Sequence, residues 1–266
     1  VSFAPLDQGA TVDEIDAEHL SDQQEALPVA ELSATELENI HTKKLVNCGP
    51  PLPGHEIVIC DECGQPLPDR KCGTIYVRGP SVMCGYFGDP DATARVLSAD
   101  GWLNTGDIGY LHKGDLMITG REKDMIIING RNFWPQDLEF HAEQQPEVTT
   151  DDASAISVPA KDGSEAAVMV VQYRETDETK RNELSNRLAR IIKEEVGINC
   201  TIELVSAHTL PRTSSGKLSR AGTQRDYLKR LEEQKKLSVK PLFEEQTMSE
   251  DESELCLAAA GRRHAH

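Results

Sequence analysis

The sequence predicts an α+β fold: a small antiparallel, β-barrel-like subdomain followed by a mixed domain of strands and helices. Two observations carry this. Between Val46 and Thr119 short apolar runs alternate with Gly and Pro, the texture of antiparallel strands joined by turns. Beyond Arg121 the apolar period switches back and forth between two and about 3.6 residues, which places strands and helices in one unit. No internal repeat interrupts this order.

Element by element, Val1 to Pro5 resembles the tail of a strand, and with Val rather than Met at position 1 the chain is expected to be a fragment. Gln8 to about Thr42 is polar and predicts weak helix at best; Ser33-Ala34-Thr35-Glu36 has capping-box spacing, and the stretch is read as an acidic surface insertion. Strands are expected at Glu56 to Cys60, Thr74 to Arg78, Gly109 to His112 and Leu116 to Thr119, with Lys113-Gly114 as the hairpin turn between the last two. Met125 to Ile128 reads as a strand, and Pro135 opens a helix over Gln136 to Gln144. Ser154 to Val158 and Ala166 to Tyr173 are further strands. Leu184, Leu188, Ile191 and Ile192 then mark one face of a helix that Gly197 ends. Thr201 to Val205 alternates as a strand, Arg220 to Gln234 forms a charged helix, and the tail after Leu237 is expected to be disordered. The implied domains are 1–44, 45–120, 121–236 and 237–266.

Charge narrows the function. The 45 acidic residues outnumber the 28 basic ones, a net of -17, which disfavours nucleic acid or an acidic membrane surface as partner. The first 44 residues hold 10 of the acidic side chains against Lys43 and Lys44 alone. With no signal-like start and no run of roughly 20 apolar residues, a cytoplasmic protein without a transmembrane segment is expected. Seven irregularly spaced cysteines fit reduced thiols. Cys60, Cys63 and Cys72 could supply three zinc ligands, but no second C-x-x-C pair accompanies them, so no metal site is assigned.

Three segments combine Gly, Pro and charge. In Gly101-Trp102-Leu103-Asn104-Thr105-Gly106-Asp107 a carboxylate behind a Gly turn can accept two hydrogen bonds from a vicinal diol such as a ribose; an ordinary turn-forming Asp is the plainer reading. In Gly120 to Asn132 the charges at 121–124 lie between apolar runs, either a polar hinge or an exposed turn. In Pro211-Arg212-Thr213-Ser214-Ser215-Gly216-Lys217-Leu218 a Lys rides on a Gly loop that is not a P-loop, since Pro211 and Leu218 stand where that motif needs Gly and Ser or Thr. Such a Lys is either solvated or a mobile charge for phosphate and carboxylate oxygens.

In order and separation these motifs, over about Val46 to Lys229, closely resemble the adenylate-forming superfamily of acyl-CoA synthetases, nonribosomal adenylation domains and luciferases. Gly79 to Phe87 is similar to that family's glycine-and-aromatic segment. The resemblance implies the adenylate-forming fold with a mobile C-terminal domain. It also implies Asp107 and Arg121 as ribose contacts, Lys123 and Asp124 as hinge, and Lys217 as the catalytic lysine. Gly130-Arg131-Asn132-Phe133-Trp134-Pro135-Gln136-Asp137-Leu138-Glu139 is most similar to the GRNxYPQDIE pattern of fatty-acyl-AMP ligases, whose insertion falls where Gln8 to Thr42 lies. Asn104 before TGD and Trp134 in place of Tyr are departures that remove no group assigned to chemistry.

The implied reaction activates a fatty acid with ATP and Mg2+ to acyl-AMP, releasing pyrophosphate. Transfer to the phosphopantetheine thiol of an acyl carrier protein or polyketide synthase carrier domain follows, the insertion disfavouring free CoA. An acyl-CoA synthetase and a non-catalytic carrier-protein docking module are the alternatives. The family's phosphate-gripping loop, its YGxAEATL motif and its acyl tunnel are not in this sequence, so the chain alone is expected to be inactive.

Overall fold

A computed structural model describes residues 1–5, 9–33, 40–160 and 163–238. The chain divides into two compact units, Val1–Asp226 and Tyr227–His266. The capping box at 33–36 and the acidic tail lie outside the described residues, apart from Ser33 and the end of the last helix.

The first unit opens with β1 (Val12–Asp16), which pairs antiparallel with β2 (Thr42–Val46); between them runs α1 (Ala17–Gln23). This corrects the expectation of weak helix at best. Asp16 caps α1, its carboxylate accepting from the amides of Glu18 at 2.8 Å and His19 at 3.0 Å. The segment is also tied into a core of Ile15, Leu20, Ala26, Leu45, Cys72, Tyr110 and Met117. Inside that core Asp13 accepts from the Tyr110 hydroxyl at 2.6 Å and pairs with Arg70 at 3.0 Å. Non-local partners order a stretch whose own propensities are poor.

β3 (Glu56–Cys60), β4 (Gly73–Arg78), β5 (Leu103–His112) and β6 (Asp115–Arg121) form an antiparallel sheet in sequential order, with α2 (Pro90–Val96) between β4 and β5. The sheet is open: β3 and β6 are its edges, and the barrel-like expectation becomes a four-stranded sheet. Ile59, Ile75, Val77 and Leu116 build its core. Lys113 and Gly114, both at positive φ (53° and 87°), make the tight turn expected between β5 and β6.

After one 3-10 turn at Glu122–Asp124, β7 (Ile126–Ile128) and β8 (Arg131–Phe133) form a small hairpin through Asn129-Gly130. Then come α3 (Pro135–Glu143), β9 (Ala153–Pro159), β10 (Glu165–Gln172), α4 (Glu178–Glu195) and β11 (Cys200–Val205). β10 runs antiparallel to β9 and parallel to β11, the two parallel strands being joined through α4. Leu138 and Ala142 of α3 and Leu184, Leu188 and Ile192 of α4 close over Met169 and Val171 of β10. The apolar face read from α4 is the buried one, with Ile191 at its margin. α5 (Arg220–Ser238) begins in the first unit and supplies the described part of the second. Among the described residues no helix is long and apolar enough to cross a membrane.

Candidate active site

Asp107 does not sit in a turn, as expected, but within the ten-residue strand β5. Pairing of β4 with β5 passes from Thr74↔Ile108 to Tyr76↔Asn104, so Thr105, Gly106 and Asp107 stand opposite Ile75 alone. This is a bulge, which bends the strand and re-aims the side chain after it. Three interactions hold it. The Thr105 hydroxyl donates to the Ile75 carbonyl at 2.8 Å and accepts from the Asp107 amide at 3.1 Å, while the Gly106 amide donates to Asn104 Oδ1 at 2.8 Å. Asn104, a departure from the family pattern, thus has a structural task. Gly106 lies at φ 69°, where a Cβ is strained.

Arg121, at the end of β6, pairs in register with Asp107, and its Nε donates to Asp107 Oδ1 at 3.0 Å. The Arg side chain is 55% exposed and the Asp side chain 29%, so the pair adds no more than about 1 kcal/mol of stability. Its effect is positional: one carboxylate oxygen is fixed, and the other has no hydrogen bond among the described residues. Gly120, next to Arg121, leaves space for the Trp134 ring, since a Cβ there would lie 2.5 Å from Trp134 Cε3.

Lys123 is exposed, whereas Asp124 is half-buried. Asp124 shares Arg220 with Glu139: the guanidinium lies 3.1 Å from Asp124 Oδ2, and 2.9 Å and 2.5 Å from the two Glu139 oxygens. Burial opposes the Arg220 charge, but the hydrogen bond and attraction of Glu139, then of Asp124, outweigh it and raise its pKa above the ordinary arginine value. Glu139 Oε1 also accepts from the Ala155 amide at 3.0 Å. The hinge candidate is therefore joined to α3, β9 and the start of α5.

Lys217 rides on a short hairpin loop closed by the Arg212↔Leu218 bridge. The Thr213 amide donates to the Lys217 carbonyl at 2.8 Å and the Gly216 amide to the Thr213 carbonyl at 2.9 Å. Gly216 takes the left-handed position at φ 83°. Arg212 pins the loop, donating from Nη1 to the Gly216 carbonyl at 2.9 Å and from Nη2 to the Asp151 carbonyl at 3.0 Å. Lys217 is exposed, and among the described residues it forms no ion pair and no hydrogen bond to Asp107 or Arg121. Asp107 and Arg121 are thus brought together; Lys217 stands apart on its own support.

The acidic segment and the ligase-like segment meet. Ser21 Oγ donates to the Asn132 carbonyl at 2.7 Å, Arg131 pairs with Asp22 at 2.5 Å, and Lys43 pairs with Asp137 at 2.7 Å while lying 5.8 Å from the Trp134 ring centre. Trp134, the second departure, offers a larger ring to this contact. Sequence reasoning missed these partners and Arg220, because the paired residues lie 94 to 111 positions apart, or 81 and 96 for Arg220. Of the cysteines, Cys60 and Cys72 are buried and Cys63 exposed; burial pushes the Cys72 thiol up to about 12. Among the described residues no group of three or more His, Cys, Asp or Glu is arranged to hold a metal ion.

The family profile described as AMP-binding enzyme matches residues 23–87. A putative acyl-CoA synthetase of Caulobacter vibrioides is 43% identical over 229 residues, 86% of this chain and 39% of its own length. The medium-chain-fatty-acid–[acyl-carrier-protein] ligase JamA of Moorena producens is 33% identical, over 74% of this chain and 35% of its own. A structure from work on the fatty acyl-adenylate ligases of E. coli and L. pneumophila superposes with a TM-score of 0.77 at 43% identity, covering 88% of this chain and 40% of that one. The chain belongs to the adenylate-forming family of AMP-binding enzymes. Its relatives include proteins named as acyl-CoA synthetase and fatty-acid ligases, and it spans about two fifths of the length of the curated relatives it matches.

Proposed function

We propose that this chain supplies the ribose platform, the hinge and the catalytic lysine of a fatty-acyl-AMP ligase, which activates a fatty acid with ATP and passes the acyl group to an acyl carrier protein. The observation that carries the reading is the Asp107–Arg121 pair, in which a bulge and a guanidinium fix one carboxylate oxygen and leave the other open. A vicinal diol needs such an acceptor, so the residues present fit a nucleotide ribose. ATP, when bound, supplies the phosphoryl centre that the fatty-acid carboxylate attacks. Asp107 and Arg121 orient the nucleotide, and Lys217 offsets the negative charge that builds where two anions meet. Mg2+ would be held with the nucleotide by parts of the enzyme outside this chain.

On this reading residues 45–120 form the β-rich end of the N-terminal domain and 121–236 the C-terminal lid, with Lys123 and Asp124 absorbing rotation between them. The contacts of Ser21, Asp22 and Lys43 with residues 131–137 cross that hinge. They support a restraint on rotation, and with it carrier protein rather than free CoA as acceptor. JamA, a fatty-acid–[acyl-carrier-protein] ligase, is consistent with that acceptor.

ATP–pyrophosphate exchange tests the reading. The chain alone is expected to show none, and to support exchange dependent on Lys217 when joined to the region its relatives carry beyond the matched part. Exchange that is unaltered in K217A would leave a carrier-protein docking module as the better account. The Caulobacter relative favours a second reading, an acyl-CoA synthetase; efficient thioester formation from fatty acid, ATP and free CoA would establish it.

A further inference from the structure

A cavity of about 300 Å³ opens beside the Lys217 loop, lined by Asp152, Gln172, Arg174, Ala207, His208 and Arg212. Only Arg212 has a role in the adenylation reading, and that role is to pin the loop. We propose that this cavity is a binding site for hydrogen phosphate, a phosphate group that carries a proton.

The donors come first. Arg174 lines the cavity with no hydrogen bond or ion pair among the described residues. Arg212 spends Nη1 and Nη2 on two backbone carbonyls, and a guanidinium carries five N–H donors in all. His208 adds an imidazole on backbone held at φ 63°, a left-handed conformation that costs a non-glycine residue on the order of 1 kcal/mol. Arg212 also lies 3.8 Å from Asp151 Oδ2, so Arg174 is the lining's unpaired cation among the described residues and Asp152 its one carboxylate. An oxyanion is the ligand such a lining attracts.

Asp152 decides which oxyanion. Its Oδ1 accepts from Gln172 Nε2 at 2.5 Å, and Gln172 Oε1 accepts from the Leu210 amide at 3.2 Å, so both ends of the amide are committed and its orientation is set. The second oxygen of Asp152 has no partner among the described residues and is an acceptor only. A ligand filling the cavity must therefore accept from the guanidiniums and donate to a carboxylate. Hydrogen phosphate does both. Sulfate, of the same shape and charge, has no proton to give and sets an oxygen lone pair against the carboxylate.

The site does not depend on the ligase reading, and its test needs no catalysis. Calorimetric titration of the 266-residue chain with inorganic phosphate, methyl phosphate, sulfate and chloride at equal ionic strength reads it directly. Phosphate should bind at least about tenfold more tightly than sulfate or, above its second pKa of about 6, methyl phosphate, neither of which has a proton to give. R174Q should weaken phosphate by about tenfold, and D152N, whose amide can donate or accept, should bring sulfate level with phosphate. Both variants are to be checked for an unchanged melting temperature. Equal binding of phosphate, sulfate and chloride would overturn the proposal, as would phosphate binding untouched by R174Q or discrimination untouched by D152N.

Discussion

Asp107 and Lys217 rest on opposite kinds of support. Asp107 is set in the interior of an antiparallel sheet, its backbone held by a bulge and its carboxylate by a neighbouring strand. Lys217 projects from a hairpin loop held by its own backbone bonds and by Arg212, with the side chain in solvent. The difference suits the proposed roles. A ribose acceptor has to be in place before the nucleotide arrives, whereas a charge needed at one step can be delivered and withdrawn.

The comparison can be broken most forcefully at Lys217. In an enzyme containing this chain, K217A should slow adenylation by about 10²- to 10³-fold, the scale for removing one preorganised charge stabiliser. Its melting temperature should not move, because among the described residues the exposed side chain makes no ion pair or hydrogen bond. A rate within twofold of wild type would end the lysine's proposed role.

Arg220 tests whether the loop's far end is anchored as firmly as the sheet. R220A leaves Asp124 and Glu139 facing each other without a cation, and at 24% side-chain exposure about 2–3 kcal/mol of stability should be lost. Urea unfolding reads this; a loss under about 0.5 kcal/mol would show that the clamp is not tight. Asp107 sharpens the other half. D107N should raise the KM for ATP about tenfold, one charged hydrogen bond, with kcat changed less and unfolding within about 0.5 kcal/mol of wild type. A kcat loss with unchanged KM would contradict a ribose contact. The smallest effect is expected at Gly106, where a Cβ meets nothing within 4 Å but φ is 69°. G106A should cost about 1 kcal/mol in unfolding through backbone strain alone.

Legibility in the sequence followed the range of the forces involved. The β5–β6 turn was readable because Lys113-Gly114 carries its own geometry, and α4 because Leu184, Leu188 and Ile192 repeat at helical spacing. The Asn129-Gly130 turn between β7 and β8 carries an equally local signal. α1 and β1 were not readable, since an acidic segment is ordered there by Arg70 and Tyr110, 57 and 97 residues beyond Asp13. In the site, motif order marked Asp107, Arg121, Lys123, Asp124 and Lys217. The bulge that aims Asp107 and the Arg220 clamp on Asp124 depend on strand register and tertiary approach, which no local pattern encodes.

Lys43 gives the contact between the acidic segment and residues 131–137 a dependence on the medium. Its side chain is 12% exposed and lies against both the Trp134 ring and Asp137, whereas Arg131 and Asp22 are 36% and 45% exposed. Dissolved ions reach the second pair freely and the first poorly. Raising ionic strength therefore slackens the contact in two stages, the outer pair yielding first and the sheltered one persisting. The stiffness of the proposed lid becomes a property of the surrounding electrolyte as much as of the chain.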